Sequence, residues 1–191
     1  ATAVQLSKIC NDLRWLSSGP RCGLYEIRLP AMQPGSSIMP GKVNPVVPEV
    51  VGIVAFRVIA NDFAVALAAH SGQLQLNAYE PLNGLAPIES QALLYNVSQL
   101  FRTKCIDGIT VNEKVLEHYM ETTVGIVTAL NPVLGYDKAT EIANEAYKSG
   151  KGVLEVIREK KLLTEAQIKD LLDPAKLTNL DPAQYQKYQK K

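Results

Sequence analysis

The pattern of apolar and polar residues predicts a chain built mainly of helices. Residues 1–17 have apolar side chains at helical intervals and predict the end of an amphipathic helix. A long helix is predicted from Pro45 or Pro48 to Asn77, and another over residues 81–104, because both stretches are apolar without the strict alternation of a strand. Two long apolar helices in tandem indicate a helical bundle.

The segment between the first two helices has the composition of a loop. Residues 18–45 hold nine glycines and prolines, a density that neither a regular helix nor a central strand tolerates. Asn44 lies just before the next apolar run, where it is a candidate cap for the helix.

Shorter helices are predicted after Asp107-Gly108. They cover residues from the Asn112 cap to about Leu130, where Asn131-Pro132 breaks the helix, then 137–149 and 165–172. Thr164 and Gln167 form a capping box for the last of these helices. The expected fold is therefore all-α. A long central helix-bundle segment over 1–106 is followed by a small helical C-terminal domain with a tail over 107–191.

Charge and cysteine usage narrow the class of protein. The 20 basic and 19 acidic residues leave a net charge of +1, which predicts no nucleic-acid partner and no charged membrane surface. The three cysteines (Cys10, Cys22 and Cys105) have no CxxC spacing, so neither a disulfide framework nor a metal site is expected and a cytoplasmic location is inferred. His70 and His118 are expected to serve packing or surface roles.

The stretch from Val50 to Ala69 is apolar nearly all round and as long as a bilayer span. Arg57, Asn61 and Asp62 interrupt it in the middle, where charges in lipid would be costly. A helix buried inside a bundle is therefore favoured over a membrane span.

The segment over residues 33–45 combines hydroxyls, a cation, an amide and glycines just before a helix. Backbone N–H groups at such a site can hold a carboxylate, to which Lys42 would add a point charge and Asn44 a directional hydrogen bond. On these residues alone, the alternative is that the serines and Asn44 only cap the helix while Lys42 is solvated.

The run Gly35-Ser36-Ser37-Ile38-Met39-Pro40-Gly41-Lys42-Val43-Asn44-Pro45 resembles the GSSxMPxKxNP signature of the aspartase/fumarase superfamily at every fixed position. Residues 7–14, 17–21, 72–77 and 130–136 also resemble this family. Within it, Val46-Val47-Pro48-Glu49 and Gln73-Leu74-Gln75-Leu76-Asn77 are similar to aspartate ammonia-lyases, and fumarate hydratase is the alternative.

The resemblance implies a reaction and roles for individual residues. A base removes a proton beside a carboxylate, an aci-carboxylate forms, and ammonia leaves L-aspartate to give fumarate. The resemblance assigns the base to Ser36 as an alkoxide, carboxylate binding to Lys42 and Asn44, and the orientation of a histidine from another subunit to Glu49. Gly35 and Gly41 would let the loop close. Support or cover would come from Ser37, Ile38, Met39 and Pro40.

The family also implies an assembly and a longer chain. The expected partners are a small dicarboxylate substrate and three further copies in a homotetramer, with neither cofactor nor metal. The family's earlier motifs do not occur in these 191 residues. We therefore expect a carboxy-terminal part of a longer chain that is inactive alone because half the substrate contacts are missing. The alternative of another class is a non-catalytic helical assembly module.

Overall fold

Helices dominate the chain, as the apolar pattern predicts. The computed structural model describes residues 1–178, except the side chains of Pro174 and Ala175; the predicted tail from residue 179 lies outside the described residues. The helices are α1 (Thr2–Leu16), α2 (Val46–His70), α3 (Glu80–Lys104), α4 (Glu113–Thr122), α5 (Val127–Leu134), α6 (Tyr136–Ser149), α7 (Val153–Glu159), α8 (Glu165–Leu171) and α9 (Pro174–Leu177). The all-α class is confirmed.

A small antiparallel ribbon accompanies the helices. Strand β1 (Ile27–Arg28) pairs with β2 (Thr110–Val111), so that Ile27 lies opposite Val111. A 3-10 turn at Ile106–Gly108 precedes β2. Next to the ribbon, the Asn112 side chain donates to the Tyr25 carbonyl over 3.0 Å. These contacts hold the segment that enters the loop against the end of α3.

The chain forms two compact units, of which the first is Ala1–Asn112 and the second begins at Glu113. The expected domains over 1–106 and 107–191 stay a prediction. The core of the first unit joins α1, α2 and α3 through Cys10, Val47, Val51, Val97, Phe101 and Cys105. The core of the second joins α5 to α8 through a cluster that includes Leu130, Ile142, Val153, Ile157 and Ile168.

Helix α2 ends at His70, so the predicted extension to Asn77 is wrong. After Ser71 the chain turns, and Gln73 and Leu76 exchange backbone hydrogen bonds of 2.8 and 3.0 Å. The Asn77 side chain donates to the Ala68 carbonyl over 2.9 Å. The Ala68 carbonyl, in the last turn of α2, thus accepts from this side-chain amide as well as from the Ser71 N–H at 3.2 Å.

The single helix predicted from Asn112 to Leu130 is also wrong. The break falls between α4 and α5, where the Gly125 N–H donates to Thr123 Oγ1 over 3.2 Å. Pro132 lies inside α5, so the predicted break at Asn131-Pro132 is wrong as well; the helix continues to Leu134 and ends at Gly135. Helix α7 was not predicted because its buried run of Val153, Leu154, Val156 and Ile157 is too short to show a helical period.

Beyond the core cluster of Val47, Val51, Val97 and Phe101, the α2–α3 hairpin buries small side chains and exposes large ones. Ala55, Ala68 and Ala86 are buried. The outward side chains Ile53, Phe56, Phe63, Leu67, Leu85, Ile88 and Tyr95 are 52–68% exposed. By length and composition alone α2 could cross a membrane, and only 17% of its most apolar stretch is buried in this chain. In this chain α1 and α3 cover part of α2, and the expected burial inside a bundle stays a prediction.

Candidate functional site

The loop before α2 is closed by contacts between its two ends. Pro34 and Val43 form an antiparallel bridge, and the Gly35 N–H donates to the Lys42 carbonyl over 2.6 Å. At the same point Asn44 Nδ2 donates to the Gly35 carbonyl over 3.1 Å. We call this closure the pinch; it confines residues 36–41 to a short turn anchored at the start of α2.

The two loop glycines are required for different reasons. A Cβ on Gly35 would lie 2.9 Å from both the Asn44 nitrogen and the Lys42 carbonyl oxygen, so the pinch has no room for a side chain. Gly41 has open space around it but a φ of 80°, a backbone conformation that L side chains rarely adopt. Sequence reasoning assigned both glycines to loop closure over substrate, and that role stays a prediction.

Ser36 lies within the turn and has two amide donors at its hydroxyl oxygen. The N–H groups of Ile38 and Met39 donate to Ser36 Oγ over 3.1 and 3.2 Å. Ser36 is half-buried, whereas Ser37 beside it is exposed. Two amides aimed at one oxygen stabilise negative charge there, as in an oxyanion hole. The structure therefore identifies which loop amides could support a serine alkoxide.

Lys42 and Asn44 occupy different environments. Lys42 is exposed on the loop, where its charge can meet an approaching anion. Asn44 is half-buried, and one N–H of its amide is used in the pinch. The other N–H can donate to a ligand, since an asparagine amide carries two donors. The N-cap of α2 is Pro45 without a side-chain cap hydrogen bond, so the predicted capping by Asn44 is wrong.

Glu49 lies in the first turn of α2, four residues after the loop ends. Its Oε1 lies 3.9 Å from Nη2 of Arg14. The other terminal nitrogen of Arg14, Nη1, donates to Asn11 Oδ1 over 3.3 Å. A carboxylate at this position also benefits from the positive end of the helix dipole. Sequence reasoning missed Arg14, since only packing brings the last turn of α1 beside the first turn of α2.

The two histidines lie far along the chain from this loop, and the Cys10 thiol is unsuited to catalysis. His70 ends α2, about 36 Å of helix from Val46. His118 lies in the second unit, in α4. Burial, the neighbouring Cys105 and, in the opposite sense, Arg14 combine to raise the pKa of Cys10 to about 11, so its nucleophilic thiolate is suppressed.

Among residues 1–178, no group of three or more His, Cys, Asp or Glu side chains could hold a metal ion. The candidate site described above consists of the Ser36 turn, Lys42, Asn44 and Glu49. Such a set can bind a carboxylate and hold a base beside it.

Comparisons with known proteins match two segments of the chain to families of lyases. The family described as "Lyase" matches residues 1–60, which include the loop, and "Fumarase C C-terminus" matches residues 126–179. An aspartate ammonia-lyase of Helicobacter pylori is 54% identical over 186 residues, which is 97% of this chain and 39% of that protein. One from Pseudomonas fluorescens is 58% identical over 91% of this chain and 36% of the relative.

Solved structures show the same helical architecture. A fumarate lyase:delta crystallin from Brucella melitensis bound to cobalt superposes with a TM-score of 0.83 at 52% identity, over 92% of this chain and 38% of that one. A class II fumarase from Schistosoma mansoni gives 0.80 at 37% identity, over 92% and 37%. The chain thus spans between a third and two fifths of the length of these relatives.

Proposed function

The chain belongs to the aspartase/fumarase superfamily of lyases, and on this premise we propose that the whole protein is an aspartate ammonia-lyase. Such an enzyme is a carbon–nitrogen lyase that reversibly eliminates ammonia from L-aspartate to give fumarate. The observation that carries the proposal is Ser36 Oγ, which accepts hydrogen bonds from two loop amides at 3.1 and 3.2 Å.

The first step is the removal of a proton from carbon. Ser36, as an alkoxide, takes the proton from the carbon beside a substrate carboxylate, and the C–H electron pair moves into that carboxylate to form an aci-carboxylate. The amides of Ile38 and Met39 stabilise the alkoxide before the transfer. Losing one donor of this kind typically costs about 10²–10³-fold in kcat.

The second step breaks the carbon–nitrogen bond. Electrons return from the aci-carboxylate to form the double bond of fumarate, and the C–N pair leaves with nitrogen as ammonia. Lys42 and the available N–H of Asn44 bind the carboxylate on which charge builds up. Their contacts strengthen as the intermediate forms, so they favour the transition state over bound aspartate.

Glu49 is proposed to orient a histidine supplied by another subunit. Glu49 lies in the first turn of α2, directly after the loop, and its carboxylate lies 3.9 Å from the Arg14 guanidinium. A carboxylate that fixes the tautomer and direction of a histidine acts through that ring, without contacting the substrate.

The proposed assembly is a homotetramer in the cytoplasm. The outward side of the α2–α3 hairpin exposes Ile53, Phe56 and Phe63 by 64–65%, and contiguous apolar surfaces of this kind mark protein interfaces. Arg57 and Asp62 in the middle of α2 argue against lipid as the alternative cover. The free thiols of Cys10, Cys22 and Cys105 support a reducing compartment.

The test is turnover by the full-length protein. Ammonia and fumarate should appear together from L-aspartate, and Ser36→Ala should reduce kcat by about 10²–10⁴-fold, the usual contribution of a general base. Ser149→Ala is the matched control, because it removes a hydroxyl whose hydrogen bonds are local to the end of α6: Ser149 Oγ donates to the Glu145 carbonyl over 2.7 Å and accepts from the Lys151 N–H over 3.4 Å. Undiminished turnover by Ser36→Ala would refute the assignment of the base.

Fumarate hydratase is the second candidate, favoured by the match of residues 126–179 to the fumarase C C-terminus and by the 37% identity to a class II fumarase. Parallel assays with L-aspartate and malate separate the two reactions. The non-catalytic module is tested by light scattering and by mixing this chain with the rest of the full-length protein. Assembly without restored turnover would favour the module.

A further inference from the structure

The contact between α2 and α3 changes in character along the hairpin. Where α2 begins and α3 ends, Val47, Val51, Val97 and Phe101 pack in the core, whereas from the middle of α2 to the connecting turn the buried apolar residues are Ala55, Ala68 and Ala86. Methyl groups interlock far less than large side chains, so alanine packing in this half of the hairpin resists sliding of one helix along the other only weakly. A polar contact in this half would add to the specification of which turn of α2 meets which turn of α3.

One polar cluster crosses this contact. Asn61 of α2 is only 7% exposed, and its Nδ2 lies 2.7 Å from Glu89 Oε2 and 3.1 Å from Ser90 Oγ. The same nitrogen lies 3.3 Å from the Ala86 carbonyl, and Ser90 Oγ donates to that carbonyl over 2.7 Å. A buried amide left without these acceptors would be costly, so the cluster opposes any other pairing of turns.

An ion pair completes the cluster at its edge. Arg57 Nε and Nη2 lie 3.0–3.2 Å from the two oxygens of Glu89 in a bidentate arrangement. The planar guanidinium fits a carboxylate only at one position and angle. A slide of one residue, about 1.5 Å, would break the fork and move Glu89 away from Asn61.

We propose that the cluster of Arg57, Asn61, Glu89 and Ser90 sets the register of α2 against α3, and with it the pattern of the outward apolar face that another copy of this chain meets. A slipped register would displace Leu85 and Ile88 relative to the outward side chains of α2. The next copy would then meet a different surface. Buried polar groups that specify register and oligomeric state are known in coiled coils.

The inference rests on the assembly part of the proposed function and needs no substrate for its test. The full-length protein is unfolded in denaturant, refolded, and measured by native mass spectrometry for recovery of the wild-type oligomer. Arg57→Glu should lower that recovery by about fivefold or more, and the charge swap Arg57→Glu with Glu89→Arg should restore it to within about twofold. Arg102→Glu, the same charge change on an exposed position of α3, should leave recovery unchanged.

Recovery by Arg57→Glu equal to the wild type would overturn the proposal, and so would a charge swap that stays as low as the single variant. If Arg57→Glu fails to fold, the double variant Arg57→Leu with Glu89→Leu decides. It should keep its helical content and thermal midpoint but refold into several oligomers, whereas one uniform wild-type oligomer would overturn the proposal. Absent turnover of aspartate would defeat the proposed reaction and leave this result standing.

Discussion

Alanine at Gly35 should impair the proposed reaction as well as destabilise the fold. The added Cβ would lie 2.9 Å from two backbone atoms, whereas ordinary contact begins at 3.4 Å, so the pinch must open by about 0.5 Å. Neither the Asn44 nitrogen nor the Lys42 carbonyl belongs to a side chain that can rotate away. The turn that carries Ser36 would therefore shift relative to the start of α2.

The expected loss in kcat for Gly35→Ala is about 10-fold, because a misplacement of roughly 1 Å costs about 10²-fold and the pinch opens by about half that distance. The cost in stability should stay near 1–3 kcal/mol, typical of an overpacked position. Fumarate formation gives kcat and KM, and circular dichroism gives the thermal midpoint.

Gly125→Ala in the second unit is the matched control for Gly35→Ala. The nearest atom to its added Cβ, Thr123 Oγ1, lies at 3.4 Å, so turnover should stay within about twofold of the wild type. Turnover of Gly35→Ala within about threefold of the wild type would refute the reasoning, because it would mean that the pinch does not position Ser36.

Three further outcomes are expected. Because the pKa of Cys10 is raised to about 11, burial of its neutral thiol stabilises the folded chain fully below about pH 9, and this stabilisation is lost as the pH rises towards 11. The thermal midpoint of Cys10→Ala should therefore fall less over that pH range than the midpoint of the wild type. Timed alkylation with peptide mapping should modify exposed Cys22 before buried Cys10 and Cys105, and equal rates would contradict the structure. Thr164→Ala should cost about 0.5–2 kcal/mol of unfolding free energy in denaturant titrations, because it removes the capping box of α8; an unchanged midpoint would contradict this.

Local patterns were sufficient for both ends of the long helix α3 and for the start of the short helix α8. Helix α3 begins and ends within one residue of the range predicted from its apolar positions, and the capping box of Thr164 and Gln167 opens α8 as expected. Both signals depend on residues within a few positions of each other. The same reasoning failed at the end of α2, where the Asn77 side chain donates to the carbonyl of Ala68, nine residues earlier in the chain. It also failed between α4 and α5, where a turn at Thr123 interrupts the predicted helix.

The amino-acid sequence by itself determined the all-α class, the place of the loop and its chemical character, because glycine spacing, hydroxyls and charge are local properties. Only the tertiary structure decided which atoms meet. In the folded chain two backbone amides donate to Ser36 Oγ, the Asn44 amide donates to the Gly35 carbonyl and closes the loop, and Arg14 lies beside Glu49. The first two contacts depend on the backbone conformation of the loop, which its residue types do not specify. The third joins two helices, so it depends on packing, which follows from burial of the whole chain.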